Sequence, residues 1–315
     1  MKTVIIGGDG FIGSHIARTF IHHGAAVTTF GPGVGENLLE DLGENVQQIK
    51  GDITDFPSLQ RCLLKVKPDV LIHLAAFGAG KDGLAQGARH HPDKALQVNI
   101  HGFYNVIEAA QIAQINKVLW SSSTTVYGWK EEYAPVKVDE KMAVNPHTFY
   151  GSTKVMDELM TNYYRDMYQM EIAAFRLPLV YGPGRWYKGA GNSLVDLFES
   201  AHRKQSLTIK QHEQPMDLMY VKDVGELFYK AAITARPLEN IYNVKSHTTT
   251  WEELAETVNQ WTESSLIRAE KQSSQQNTYP LIDVSRVEKD LRYVPDYDVR
   301  KACRDYLKVL EDEHV

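Results

Sequence analysis

Through its first half the chain alternates short, largely apolar runs with segments of helical periodicity, and few folds accept that alternation. "KTVIIG", "AAVTTF", "VQQIKGD", "DVLIHLAA", "KVLWSSS" and "EIAAFRL" read as strands. Most lack the polar alternation of a sheet with one wet face, which suits strands buried on both sides. Between them "FIGSHIARTFIHHG", "PSLQRCLLKV", a stretch over roughly 92–115 and "HTFYGSTKVMDELMTNYYRDMY" read as helices, the first capped at its C-terminus by Gly24. Strands and helices in turn predict an α/β protein with a doubly wound, Rossmann-like parallel sheet. After about residue 177 the elements shorten among Pro and Gly clusters, which predicts a second, smaller, discontinuous α/β domain. Helix starts are expected at Thr250 with Glu253 and at Ser285 with Glu288, and an exposed loop at 271–278.

Composition removes several function classes. The 315 residues carry a net charge of −6 with the basic residues dispersed, so neither nucleic acid nor an anionic membrane is expected as a partner. No apolar run approaches the ~18 residues of a membrane span. "MKTVIIGG" runs straight into a strand without signal-peptide character, so the expected location is cytoplasmic. Two cysteines, Cys62 and Cys303, give no disulfide framework, and the histidine pairs at 22–23 and 90–91 lack the spacing of metal ligands. No metal is expected.

Three glycines, Gly7, Gly10 and Gly13, follow the first strand in "VIIGGDGFIGSH" and open the first helix. A tight turn there aims backbone N–H groups and the positive end of a helix at an anion such as a pyrophosphate. A plain turn would use glycine as well, and the GxxGxxG spacing departs from the commoner GxGxxG. More residues fall into step downstream. "SSSTTVYG" ends a strand, and "YGSTK" sets Tyr150 and Lys154 four apart, on one helix face.

With "GDITD", "HLAA", Asn99 before "HGFYNVIEAA", "RLPLVYGPG" and "YVKDV" in the same order, the chain resembles the extended short-chain dehydrogenase/reductase family, the NAD-dependent epimerases, dehydratases and their relatives. The resemblance covers most of the chain. It implies a dinucleotide-binding domain over 1–176, with 217–244 returning to it, and a substrate domain from 177–216 and 245–315. It implies that Tyr150 is the acid/base, that Lys154 tunes the phenol and holds the nicotinamide ribose, and that Ser123 hydrogen-bonds the reacting oxygen. The residue types suit that work. A phenol of pKa ~10 is a poor base at neutral pH, and a neighbouring ammonium favours its phenolate. The resemblance further places the cofactor against Gly7, Gly10, Phe11, Ile12, Gly13, Asp52, Ile53, Leu74, Ala75, Ala76 and Asn99, together with Tyr150 and Lys154. Relatives that use NAD end their second strand in an acidic residue for the adenosine ribose. Gly31 stands there, with no carboxylate and no arginine for a 2′-phosphate beside it in the sequence, although Glu36 could reach from the loop. NAD is expected over NADP.

Thr124 and Thr125 occupy places where dehydratase relatives carry an acidic pair, which argues against water elimination. Leu179 and Met216 occupy places where sugar-nucleotide enzymes put an asparagine and an arginine on the diphosphate. Arg185, Lys188, Asn192 and Ser193 could take over that contact, and "FGAGKDGLAQGARHH" is expected to shape the pocket beside the nicotinamide. The expected function is therefore an NAD(P)-dependent oxidoreductase acting at a secondary alcohol or ketone of a small polar or sugar-like substrate. The alternatives are a nucleotide-sugar epimerase working through a transient ketone, and a non-catalytic dinucleotide-binding protein. The resemblance also implies a homodimer, joined through a four-helix bundle made by the 92–115 helix and the helix of "YGSTK".

Overall fold

On the first strand, β1 (Lys2–Ile6), Val4 and Ile6 point to one side and Ile5 to the other, and all three are fully buried. A computed structural model describes residues 1–33, 37–78, 82–133, 136–185, 189–271 and 277–312; Glu36, Trp186, Lys188 and most of the 271–278 loop lie outside the described residues. β1 sits in the middle of a seven-stranded sheet with β2 (Ala26–Gly31), β3 (Val46–Lys50), β4 (Val70–His73), β5 (Lys117–Ser123), β6 (Glu171–Leu177) and β10 (Ile241–Asn243). The order is β10-β6-β5-β4-β1-β2-β3, and every pairing is parallel. The order in which strands are added reverses between β1 and β4, the switch point at which doubly wound folds bind ligands.

Two apolar layers enclose the sheet. Ile5, Ile72, Leu119 and Phe175 pack against α1 (Phe11–His22) and α8 (Val221–Ile233). These two helices meet closely because Gly225 carries no side chain; a Cβ there would overlap the Thr19 hydroxyl. Val4, Ile6, Leu71, Val118, Trp120 and Ile172 pack against α2 (Phe56–Val66), α5 (Gly102–Ile112) and α6 (Phe149–Tyr168). A second lobe is built on a three-stranded sheet of β7 (Leu179–Tyr181), β9 (Met216–Tyr220) and β11 (His247–Thr249), and on the pair β8 (Leu207–Gln211) with β12 (Ile267–Lys271). Its own apolar core takes in α7 (Asn192–His202), α9 (Trp251–Trp261) and α11 (Val299–Asp312).

Local signals hold with two corrections. Gly24 lies past α1 with φ +76 and returns its N–H to Ile21, and the Thr250 hydroxyl accepts the Glu253 N–H at 3.1 Å. Ser285 does not cap its helix, α10 (Ser285–Leu291). It is the first helical residue, and the Asp283 carboxylate takes its N–H at 2.9 Å, which holds that carboxyl below its ordinary range. The 92–115 segment is not one regular helix: α4 (Pro92–Ala95) widens into a π turn over Leu96–His101 before α5. Single π turns inside helices recur at functional sites. The stretch after β4 forms a helix of its own, α3 (Gly83–His90).

One buried polar network locks α6 to the sheet. The Arg176 guanidinium on β6 donates from Nε and Nη2 to the two oxygens of Glu158 on α6, at 2.8 and 2.7 Å. Its Nη1 donates to the Tyr127 hydroxyl at 2.7 Å, and Ser122 at the end of β5 donates to Glu158 at 2.7 Å. Arg176 and Glu158 are 2% and 4% exposed. Removing one partner of such a pair leaves a charge buried without its counter-ion, a loss of about 3–5 kcal/mol. Glu158→Ala is expected to lower the unfolding free energy by that amount in urea titrations. A loss below about 1 kcal/mol would show that the network does not hold the helix.

Candidate active site

The three glycines divide by role. Gly7 adopts φ +76, donates its N–H to Phe30 at 2.8 Å, and would set a Cβ 3.0 Å from the Ala75 nitrogen. A Cβ on Gly13 would overlap the Gly7 carbonyl oxygen. Both are glycine because the chain itself allows nothing larger. Gly10 differs. It starts α1 with extended backbone, φ −82 and ψ 177, and a Cβ there would meet only the Gly7 oxygen, at 3.4 Å. Nothing in the chain demands glycine at that point; a group approaching from outside would. The loop therefore has room for a dinucleotide, whose pyrophosphate the start of α1 would face.

Gly7 also presses the loop against the turn after β4, where Leu74, Ala75 and Ala76 run. Asn99, on the π turn, accepts the Phe77 N–H on Oδ1 at 2.7 Å and donates from Nδ2 to the Thr153 hydroxyl at 3.1 Å. Thr153 donates in turn to the Tyr150 carbonyl at 2.8 Å. Asn99 thus ties the β4 turn to the helix of "YGSTK". Ile53 is buried under Gly102 of α5. Asp52 is exposed, and one of its oxygens accepts the Thr54 N–H and hydroxyl, both at 2.8 Å.

Ser123, Tyr150 and Lys154 come together. β5 ends at Ser123 and turns through Thr124–Val126, and a Cβ on Gly151 would overlap the Thr125 carbonyl oxygen, so only glycine lets the start of α6 close on this turn. The Ser123 oxygen accepts from the Thr125 N–H at 3.2 Å and from the Thr125 hydroxyl at 3.0 Å. With its lone pairs engaged, that hydroxyl is prepared to donate. Tyr150 packs its ring with Ala88 of α3 and Ala95 of α4, so α3 does form one wall beside it. The Lys154 ammonium lies 5.8 Å from the Tyr150 ring centre and 5.2 Å from that of Trp120, at 2% exposure. Asp157 is 3.7 Å from it, an ion pair without a hydrogen bond. Burial pushes the lysine pKa down and the Asp157 pKa up. His73, at the end of β4, is buried beside them, and desolvation, helped by the Lys154 charge, lowers its pKa to about 3, so its imidazole is neutral. Asp157 and His73 were not singled out by motif; their only sequence signal is position, three residues after Lys154 and at the end of an apolar strand.

The residues expected to touch substrate are more scattered. Thr124 is buried and Thr125 half-buried, both in the turn beside Ser123. Leu179 and Met216 are half-buried and pack on the core of the second lobe. Arg185 donates to the Val180 carbonyl, and its guanidinium stacks 6.0 Å from the Phe11 ring at the glycine loop. Asn192, the first residue of α7, is exposed, and the Ser193 hydroxyl accepts from Gln211 at 3.0 Å. At the end of β2 the sequence reading needs correction: a carboxylate does stand beside Gly31, that of Asp9 from the glycine loop, 2.7 Å from where a Cβ on Gly31 would be. Among the described residues no group of three His, Cys, Asp or Glu could hold a metal ion, and no helix is long and apolar enough to cross a membrane.

Known proteins are similar to this chain in sequence and in fold. The UDP-glucose 4-epimerase of Mycolicibacterium smegmatis is 30% identical over 237 residues, 73% of this chain and 73% of its own. The structure of the UDP-N-acetylglucosamine 4-epimerase of Methanobrevibacter ruminantium in complex with UDP-N-acetylmuramic acid superposes with a TM-score of 0.83 at 25% identity, over 99% of this chain and 98% of that one. The fold is also that of the Thermus thermophilus UDP-glucose 4-epimerase in its complex with NAD, with a TM-score of 0.84 at 21% identity and 99% of both chains covered. The family model described as the NAD dependent epimerase/dehydratase family matches residues 3–244, and the chain is an enzyme that belongs to that family.

Proposed function

We propose that this enzyme is a nucleotide-sugar epimerase that inverts a secondary carbinol through a transient ketone and keeps its NAD. The observation that carries the reading is the Lys154 ammonium 5.8 Å from the Tyr150 ring centre, on a helix whose start closes on the turn after Ser123, in a chain 30% identical to a UDP-glucose 4-epimerase. Bound along the glycine loop, NAD would accept the carbinol hydride and could return it to the opposite face. Tyr150 as phenolate takes the hydroxyl proton, and Lys154 favours that phenolate by its charge. Ser123 donates to the same oxygen, and the Tyr150 proton returns when the ketone is reduced. Thr124 and Thr125 supply no acid pair for dehydration. Residues 1–176 with 217–244 serve the dinucleotide in this reading, and 177–216 with 245–315 serve the substrate. The two thiols, Cys62 and Cys303, are buried and unpaired, in keeping with a cytoplasmic location.

A second reading, net oxidation or reduction of a small alcohol, draws on Leu179 and Met216. Both are apolar and half-buried where relatives of the resemblance grip a diphosphate, and a desolvated phosphate without partners is costly. Calorimetry of the NAD-loaded enzyme with UDP, GDP and dTDP separates the two. The epimerase reading expects micromolar binding of one of them, with Arg185 or Asn192 on the phosphates; affinities no tighter than about 0.1–1 mM would favour the small alcohol.

On the substrate so identified, Tyr150→Phe is expected to cut turnover by ~10²–10⁴ while dinucleotide binding stays near native. Retention of most activity would remove Tyr150 from the acid/base role. Gly10→Ala should fold normally, since a Cβ there meets only one atom at ordinary contact distance, yet lose NAD affinity at least ~10-fold. Unchanged NAD affinity in a folded Gly10→Ala protein would show that the loop does not meet the cofactor.

We also propose a homodimer through a four-helix bundle. Met156, Leu159, Tyr163 and Met167 run along the outer face of α6, and Tyr104 and Ile112 lie on α5; these are 42–63% exposed. Such a stripe suits burial against a symmetry mate. Light scattering should give twice the 35.7 kDa of one chain, and Leu159→Glu with Tyr163→Glu should give the monomer. A native monomer at micromolar concentration would refute the dimer.

A further inference from the structure

We infer that Asp9, reaching across from the glycine loop, is the carboxylate that binds the adenosine ribose and selects NAD over NADP. The inference rests on the glycine loop holding a dinucleotide. In dinucleotide-binding folds the ribose hydroxyls are met by an acidic residue at the end of the second strand. Here that strand ends in Gly31, with no side chain to offer. The loop lies alongside it: Gly7 donates to Phe30, and Gly8 is so close to β2 that a Cβ would come within 2.5 Å of the Thr29 methyl. From this position Asp9 lays its carboxylate over Gly31. A Cβ on Gly31 would fall 2.7 Å from Asp9 Oδ1 and 3.2 Å from Oδ2. The carboxylate fills the direction in which a residue-31 side chain would project.

Gly31 lies in a regular strand outside the left-handed region, so its backbone does not require glycine. What the missing side chain makes room for is Asp9. The two positions are complementary: the acid stands in the loop, and glycine at the strand end admits it. A carboxylate there accepts charge-assisted hydrogen bonds from the 2′- and 3′-hydroxyls of NAD, and it opposes the 2′-phosphate of NADP by like charge. A cation is near as well. The Lys50 side chain passes 3.9 Å from a Cβ built on Gly33, but that is two residues beyond the strand end, whereas Asp9 lies over the end itself.

The test is calorimetric titration with NAD and with NADP, which needs no substrate. The native protein should bind NAD about 10- to 100-fold more tightly than NADP. Asp9→Ser should weaken NAD by a similar factor without weakening NADP, bringing the two affinities together. Moving the acid back, as Asp9→Gly with Gly31→Asp, should restore the native preference, and this double variant keeps the test sharp if Asp9→Ser alone fails to fold. An Asp9→Ser protein that keeps the native ratio, or loses both dinucleotides equally, would overturn the role of Asp9, as would a folded double variant without NAD preference. A native protein that binds neither dinucleotide would instead overturn the cofactor reading on which the inference stands.

Discussion

The active site depends on a salt bridge that does no chemistry. Arg176 and Glu158 meet out of water; Arg176 also holds the Tyr127 hydroxyl, and Glu158 reaches toward two of the proposed catalytic residues. Glu158 lies one helical turn beyond Lys154 and also takes the hydroxyl of Ser122, the neighbour of Ser123. β5, β6 and α6 thereby share one fixed point, and the relative placement of Ser123, Tyr150 and Lys154 follows from it. In low dielectric such a fork is intolerant of displacement, because a partner that moves away leaves an unsatisfied charge. Such rigidity suits the transfer of a proton and a hydride from one carbinol that is proposed for this site.

Close backbone approach is the second device, and it recurs wherever two elements of the site meet. Gly13 lets α1 start against β1, Gly151 lets α6 close on the turn after β5, and Gly31 admits a carboxylate to the end of β2. In each case the absent side chain is replaced by something useful: a helix end, a hydrogen-bonded turn, a charge. Asn99 completes the frame from the π turn by joining the β4 loop to α6. A regular helix would carry Asn99 at a different angle, which gives the π turn its purpose.

Around Lys154 the electrostatics are unusual. Its ammonium, the Asp157 carboxylate and the neutral His73 are buried close to one another, and neither Asp157 oxygen nor His73 Nδ1 finds a hydrogen-bond partner among the described residues. Burial pushes lysine and aspartate toward their neutral forms, while their attraction favours the charged ones. A buried ion pair of this kind next to a phenol is well placed to influence how readily that phenol ionises. The second lobe is more ordinary. Leu179 and Met216 rest on its own apolar core, apart from the two layers that enclose the seven-stranded sheet.

By itself the sequence determined the kind of sheet and six of its seven strands, β10 excepted. Continuous apolar strands interleaved with helices have one economical solution, and β1 with Val4 and Ile6 on one side and Ile5 on the other realises it. Short-range motifs were equally legible: Tyr150 and Lys154 four apart on a helix must share a face, and a glycine triplet between strand and helix must form a tight start. What only the tertiary structure decided lay between residues far apart in the chain. That Gly10, unlike Gly7 and Gly13, has space left open could not be read from three identical letters. The widening of the 92–115 helix at Asn99 left no mark in its periodicity, because a single π turn shifts the register by one residue. At the start of α10 the backbone makes Val284 the cap position and Ser285 the first helical residue, and the Asp283 carboxylate takes the Ser285 N–H. The acid at the end of β2 was sought on that strand and stands instead 22 residues earlier, in a loop that sheet pairing brings alongside. Sequence patterns record which faces must be buried; which side chain fills a given place in space follows only once the strands are in register.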